Sequence, residues 1–153
     1  MQIIRINSGQ VEMAANLFDK YRVFYEQPSD IERAKAFLTD RLNNNESIIF
    51  VALIKEAEGQ VPVGFTQLYP TYSSVRTLKN WILNDLYVEP DFRKQGIGDA
   101  LIKIAMNFAK ENNAKSVQLE TAVDNFTAQK LYETIGFKRQ ETDHDFYLYK
   151  ISV

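Results

Sequence analysis

Three groups of residues in this 153-residue sequence have the types and spacing to do chemistry. The first is Arg93-Lys94-Gln95-Gly96-Ile97-Gly98, a basic, glycine-bearing run just ahead of a helical pattern. The N–H groups of a helix start have no acceptor inside the helix, and the positive end of its dipole points outward there. Such a run therefore suits phosphate oxygens, although two glycines alone can mean no more than a turn with positive φ. The second group is Asn84-Asp85, a polar pair inside an otherwise apolar stretch. A carboxylate there is either satisfied by backbone or tyrosine donors or held for use as a base. The third is Asn125, Ala128 and Tyr132, which at i, i+3 and i+7 share one side of a helix. Their plain readings are a helix cap and a core tyrosine, and periodicity does not separate these from a functional role.

The elements that must hold these groups follow from hydrophobic pattern. Trp81, Ile82, Leu83, Leu86, Tyr87 and Val88 are apolar on both alternating faces, which predicts a strand buried in mid-sheet and ended by Pro90. Ile97, Leu101, Ile104, Ala105 and Phe108 recur at helical spacing, so a helix begins near Gly96. Residues 116–121 form the next short strand, completing a β-α-β unit with parallel strands.

Upstream, residues 2–6 read as a strand, and Val11, Ala14, Phe18 and Tyr21 as one face of a helix. Ser29 and Glu32 form a capping-box pair that starts a second helix near Asp30. Residues 47–54 and 61–68 read as a hairpin, and residues 69–79 as a loop. Downstream, Asp124 or Asn125 caps a helix that Gly136 closes, followed by closing strands at residues 137–140 and 146–151. The order β-α-α-β-β-β-α-β-α-β-β describes a single mixed α/β domain over residues 1–153.

Composition narrows the function. The chain is 45% hydrophobic and 25% charged with formal net charge −2, so bulk electrostatics favour neither nucleic acid nor a membrane surface. No cysteine is present, which removes an acyl-thiol enzyme. The single histidine, His144, lies between Asp143 and Asp145 and reads as a solvated turn residue. No signal-peptide core or membrane-length apolar run is evident, so a cytoplasmic protein without a metal site is expected. Leu101 stands where a dinucleotide fingerprint requires its third glycine, and no Gly-Lys-Ser/Thr follows as in a P-loop.

Taken together, these motifs resemble the GNAT superfamily of acetyl-CoA-dependent N-acetyltransferases. Residues 93–98 match its Gln/Arg-x-x-Gly-x-Gly/Ala loop. Asn125, Ala128, Leu131-Tyr132-Glu133 and Gly136-Phe137 match its Asn-x-x-Ala-x-x-Leu-Tyr-x-x-x-Gly-Phe element. The resemblance covers most of the chain and implies a splayed central β-sheet flanked by helices. It also implies acetyl-CoA as cosubstrate. The amides of Arg93, Lys94, Gln95, Gly96, Ile97, Gly98 and Asp99 would hold its pyrophosphate, and the backbone of Leu86, Tyr87 and Val88 would pair with the pantetheine arm. Asn125 and Ala128 would lie against the cosubstrate, with Tyr132 near its sulfur. Residues 84–88 look like those of polyamine and histone acetyltransferase-like members, except that the polyamine enzymes carry an acidic residue where this chain has Asn84.

The expected reaction is direct attack of an amine on the thioester in a ternary complex. An alkyl ammonium titrates near pH ~10.4, so a base must help, and Asp85, directly or through water, is the candidate ahead of Glu26 and Asp30. Tyr132 would support the departing sulfur. Tyr25, Glu26, Asp30, Tyr69 and Asn84 are the expected acceptor-site residues, around the first inter-helix junction and the long loop. The expected acceptor is a small-molecule amine or polyamine. A protein lysine or N-terminus is the alternative within the class, and a non-catalytic CoA-binding module the alternative outside it. Residues 146–151 would serve either a homodimer or closure of the sheet.

Overall fold

The computed structural model describes residues 1–141 and 145–152 and resolves into two compact units, Met1–Glu120 and Thr121–Val153. In the first unit, β1 (Gln2–Arg5) leads through a 3-10 turn (Ser8–Gln10) into α1 (Glu12–Phe24) and α2 (Ile31–Asn43). β2 (Ile48–Glu56), β3 (Gly59–Ser73), β4 (Leu78–Val88), α3 (Ile97–Glu111) and β5 (Val117–Gln118) follow. The five strands form one sheet in sequence order, antiparallel from β1 to β4 and parallel between β4 and β5.

Side-chain alternation puts α1 and α3 on opposite faces of this sheet. Phe65 of β3 meets Phe18 and Tyr21 of α1 with ring centroids 6.1 Å apart in each case. Its neighbour Gly64 looks instead onto Leu101 of α3. Because both faces are covered, β4 is apolar on both, as its sequence predicts.

Gly64 is also a point of close approach. A Cβ placed there would lie 2.9 Å from the Tyr87 carbonyl oxygen and 3.3 Å from side-chain atoms of Leu101 and Val88. Gly64→Ala is therefore expected to destabilise the fold by about 1–3 kcal/mol, the usual cost of overpacking against an atom that cannot move aside. Urea denaturation reads this directly, and an unchanged midpoint would mean that β3 and β4 part freely there.

Several local expectations change. Ser29 does not cap α2. Asp30 does, accepting from the Arg33 N–H at 3.0 Å, while the Ser29 hydroxyl donates to the buried carboxylate of Asp19. Residues 69–79 are not a loop: β3 runs on to Ser73, β4 begins at Leu78, and the chain turns through Thr77 at φ 51°. Pro70 fits in this strand because Trp81, its partner, turns its N–H to the Ser116 carbonyl. The pair is thus not hydrogen-bonded, and the N–H that proline lacks would point past the start of β2 at Ile48.

β5 shrinks to two residues, which pair with Trp81 and Ile82. Beyond them, residues 83–88 of β4 have a strand partner on the β3 side alone, among the described residues.

In the second unit, α4 (Phe126–Ile135) is capped by Asn125, whose Oδ1 accepts the Ala128 N–H at 3.2 Å, and ends at Gly136 with φ 115°. The described residues of 137–140 and 146–151 form no strand. Phe137 is drawn into the helix stop, its N–H returning to the Tyr132 carbonyl at 3.0 Å, and Phe146, Tyr147, Leu148, Tyr149 and Ile151 are exposed. An aromatic alternation supplies strand propensity, and that alone does not make a ladder. His144 lies outside the described residues.

Candidate active site

The polar pair of β4 sits on a β-bulge. Gln67 opposes Asp85 and Leu68 opposes Leu83, so Asn84 is an extra residue on β4. Its effect is visible on either side. Trp81 packs on Phe108 of α3, ring centroids 5.1 Å apart, whereas Tyr87 shares the core with α1. Without the extra residue, two positions six apart would lie on one face. The bulge exchanges the faces and leaves Asp85 on the α1 side with Gln67.

Asp85 is only 3% exposed and is fully engaged: Gln67 Nε2 donates to its Oδ2, and Asn84 Nδ2 to its Oδ1 at 2.9 Å. Gln67 Nε2 also reaches the Tyr69 hydroxyl at 3.0 Å, and the Tyr21 hydroxyl donates to the Asn84 carbonyl at 3.4 Å. Burial pushes the Asp85 carboxyl above its ordinary value, and hydrogen bonds from Gln67, Asn84 and Tyr21 recover only part of that cost. Burial and the neighbouring Asp85 charge likewise push both Tyr21 and Tyr69 up, so these phenols stay protonated donors.

This cluster borders a cavity of about 400 Å³. Tyr21, Tyr25, Tyr69, Asn84 and Asp85 line it, with Phe18 and Phe37 as apolar wall and Arg22, Gln27 and Arg33 as further polar groups. Of the residues expected at an acceptor site, Tyr25, Tyr69 and Asn84 are therefore gathered. Glu26 and Asp30 are not among the lining residues. Asp30 is occupied at the α2 cap, and Glu26 is exposed at φ 61° just past α1.

Gln67, Arg22, Arg33, Phe18 and Phe37 are not among the site residues expected from sequence. Gln67 had a signal, a polar residue at an inward position of an apolar strand. The two arginines had none beyond a place on amphipathic helices.

At the other end of β4, residues 93–99 form the expected loop and helix start. Gly96 adopts φ 81°, and Lys94, a non-glycine residue, adopts φ 59°. Left-handed backbone outside glycine costs about 1–2 kcal/mol, so the surrounding contacts must impose it. Two side chains do so: Arg93 Nε donates to the Val88 carbonyl at 2.8 Å, and Gln95 Nε2 to the Asp91 carbonyl at 3.1 Å. The Arg93 N–H is bonded to the Pro90 carbonyl, whereas the first α3 residues Ile97, Gly98 and Asp99 present N–H groups with no acceptor inside the helix. Asp99 is neutralised by Lys103 at 2.7 Å. A Cβ at Gly96 would meet nothing within 4 Å, so the loop opens onto free space. This donor set fits a phosphate-bearing ligand.

Among the described residues no three His, Cys, Asp or Glu side chains gather into a metal-sized cluster, and no helix is long and apolar enough to cross a membrane.

With the geometry in view, comparison with known proteins is consistent. The sequence model of the Acetyltransferase (GNAT) family matches residues 12–137. The chain is 42% identical over 153 residues to the uncharacterized N-acetyltransferase YhfO of Bacillus subtilis strain 168, covering 100% of this chain and 98% of that one. A crystal structure of a probable acetyltransferase superposes with TM-score 0.86 at 39% identity, covering 100% and 98% of the two chains. An aminoglycoside N-acetyltransferase in complex with CoA shares the fold at TM-score 0.76 and 19% identity, over 98% and 95%. The chain belongs to the GNAT family and is an acetyl-CoA-dependent N-acetyltransferase.

Proposed function

We propose that the protein acetylates the primary amine of a small molecule by direct attack within a ternary complex, with Asp85 as the base. The observation that carries this reading is a carboxylate buried beside a tyrosine-lined cavity, its proton affinity raised by burial. An acceptor arrives as an ammonium with pKa of about 10.4, and a base whose own pKa is raised by burial matches that task better than a surface carboxylate. Acetyl-CoA supplies the activated acyl group. The ammonium proton passes to Asp85, directly or through water, and the freed lone pair forms the new N–C bond as the C–S bond breaks. The second proton on nitrogen then leaves to the departing thiolate or to solvent, giving the amide and CoA thiol, and Tyr132 would donate a hydrogen bond to the sulfur.

Support for the binding roles is local. The N–H groups of Ile97, Gly98 and Asp99, with Lys94 and Gly96, would hold the pyrophosphate at the positive end of α3. Gln95 and Arg93 would act by bracing that loop. Leu86, Tyr87 and Val88 lie where β4 has a strand partner on one side only, an edge open to a pantetheine arm. Asn125 and Ala128 form the α4 cap, and together with Tyr132 they would complete the CoA contacts.

Thiol release from acetyl-CoA across an amine panel tests the proposal: turnover with a small primary amine is expected, and turnover confined to peptide lysines would overturn it. Gly96→Val adds a sharper check. Space around the Cβ is open, so the fold should lose only the ~1–2 kcal/mol of a left-handed backbone. CoA affinity should fall more than tenfold, since a branched side chain intrudes on the anion cradle. Calorimetry with CoA showing unchanged affinity would remove the loop from the binding site.

A further inference from the structure

The acceptor cavity is not an acidic pocket. Its ionisable lining comprises Asp85 and two arginines, Arg22 and Arg33, besides the tyrosines. Arg22 is set in place from behind: its Nη1 donates to Asp19 at 3.0 Å, with only 15% of its side chain exposed. Asp19 is itself buried and also accepts from the Ser29 hydroxyl and, at 2.8 Å, from the Asp30 N–H. Burial works to raise the Asp19 carboxyl, but Ser29, Asp30 and Arg22 outweigh it, so it stays ionised and anchors the guanidinium. One of five guanidinium donors is used in that bond. Arg33, from the first turn of α2, makes no ion pair among the described residues.

We infer that the acceptor is an amino acid or a similar small molecule bearing a carboxylate, its amine at Asp85 and its carboxylate held by Arg22 and Arg33. The inference rests on the reading of Asp85 as the amine end of the cavity. A guanidinium already fixed by a buried carboxylate receives a second carboxylate with little loss of freedom, and its fork geometry suits bidentate capture. A diamine of equal length would instead bring its far ammonium against two guanidiniums, with Glu26 and Asp30 outside the lining. The volume of about 400 Å³ accommodates an acceptor of amino-acid size. Tyr21, Tyr25 and Tyr69 offer faces for the connecting methylenes.

Matched acceptors test this: lysine against cadaverine, and ornithine against putrescine, in a thiol-release assay. The amino acid of each pair should show kcat/KM higher by roughly 10- to 100-fold, the worth of one charge-assisted hydrogen bond set. Arg33→Gln, at an exposed position, should abolish most of that preference by raising KM for the amino acid, while the diamine, relieved of one like charge, should lose nothing. Arg22→Lys should weaken it less than Arg22→Gln, with thermal melts confirming the fold of both.

A diamine handled as well as its amino acid by the wild type overturns the inference, as does an equal loss on both members of a pair in Arg33→Gln. If neither member turns over, calorimetry of lysine in the presence of CoA decides. Binding that Arg33→Gln weakens supports the carboxylate site, and no binding, or binding it leaves alone, overturns it. Failure of the parent reading looks different: Asp85→Asn would keep full turnover while the arginine-dependent preference persisted.

Discussion

Asp85→Asn is expected to lower kcat by roughly 100- to 10,000-fold, the range spanned by loss of a positioned general base, with CoA affinity unchanged. Among the described residues no hydrogen bond or ion pair joins Asp85 to the 93–99 loop, so a selective loss in kcat separates base chemistry from binding. Its pH behaviour follows from the sign of the shift. Asp85 must be ionised to accept a proton, and burial raises its carboxyl. Wild-type kcat should therefore fall with decreasing pH at an acid limb above the ordinary carboxylate range, and Asp85→Asn should lack that limb.

Stability should move the other way. A folded-state pKa raised above the unfolded value contributes stability that is present below the unfolded pKa and lost as pH rises through the folded one. Above its folded-state pKa the wild type thus carries an ionised, desolvated carboxylate, and there Asp85→Asn should be more resistant to urea, with the advantage vanishing in acid. The substitution fits locally. Gln67 Oε1 is buried without a hydrogen-bond partner, so rotation of that amide offers an acceptor to the new side-chain N–H₂. Undiminished kcat would remove Asp85 from the mechanism.

How much of this was legible in the sequence depends on range. The strand of residues 81–88, the helix starting beside Gly96, the Asn125 cap and the Gly136 stop are local signals, and each stands where its pattern puts it. What failed depended on partners. Pro70 reads as a breaker, yet its missing N–H falls where no neighbouring strand needs it. Ser29 reads as a cap, yet Asp30 takes the Arg33 N–H and the buried Asp19 takes Ser29. The bulge at Asn84 is the decisive case. Both faces of β4 are apolar, so the sequence carries no mark of where the alternation changes face, and the register with β3 alone fixes it. Asp19 was missed for the same reason, since two of its three donors, Ser29 and Asp30, lie ten and eleven residues away.

Tyr132→Phe is expected to reduce kcat by roughly 10- to 100-fold with little change in CoA affinity, as for loss of one donor to developing charge. Tyr132 lies on α4 with its ring 6.0 Å from that of Phe137, a contact that phenylalanine retains, and its backbone carbonyl accepts the Gly136 and Phe137 N–H groups whatever the side chain. A thermal melt of the variant reads any loss of fold separately from the loss in kcat. The size of the loss decides between two roles. A thiol pKa of about 8.5 against about 10 for a phenol makes full proton transfer to the departing sulfur uphill by roughly 2 kcal/mol. A hydrogen bond that strengthens as sulfur gains charge needs no such transfer. It predicts a modest kcat loss that grows when the leaving thiol is made more basic. A loss independent of thiol basicity would instead assign Tyr132 to positioning, and an unchanged kcat would leave the leaving sulfur to solvent.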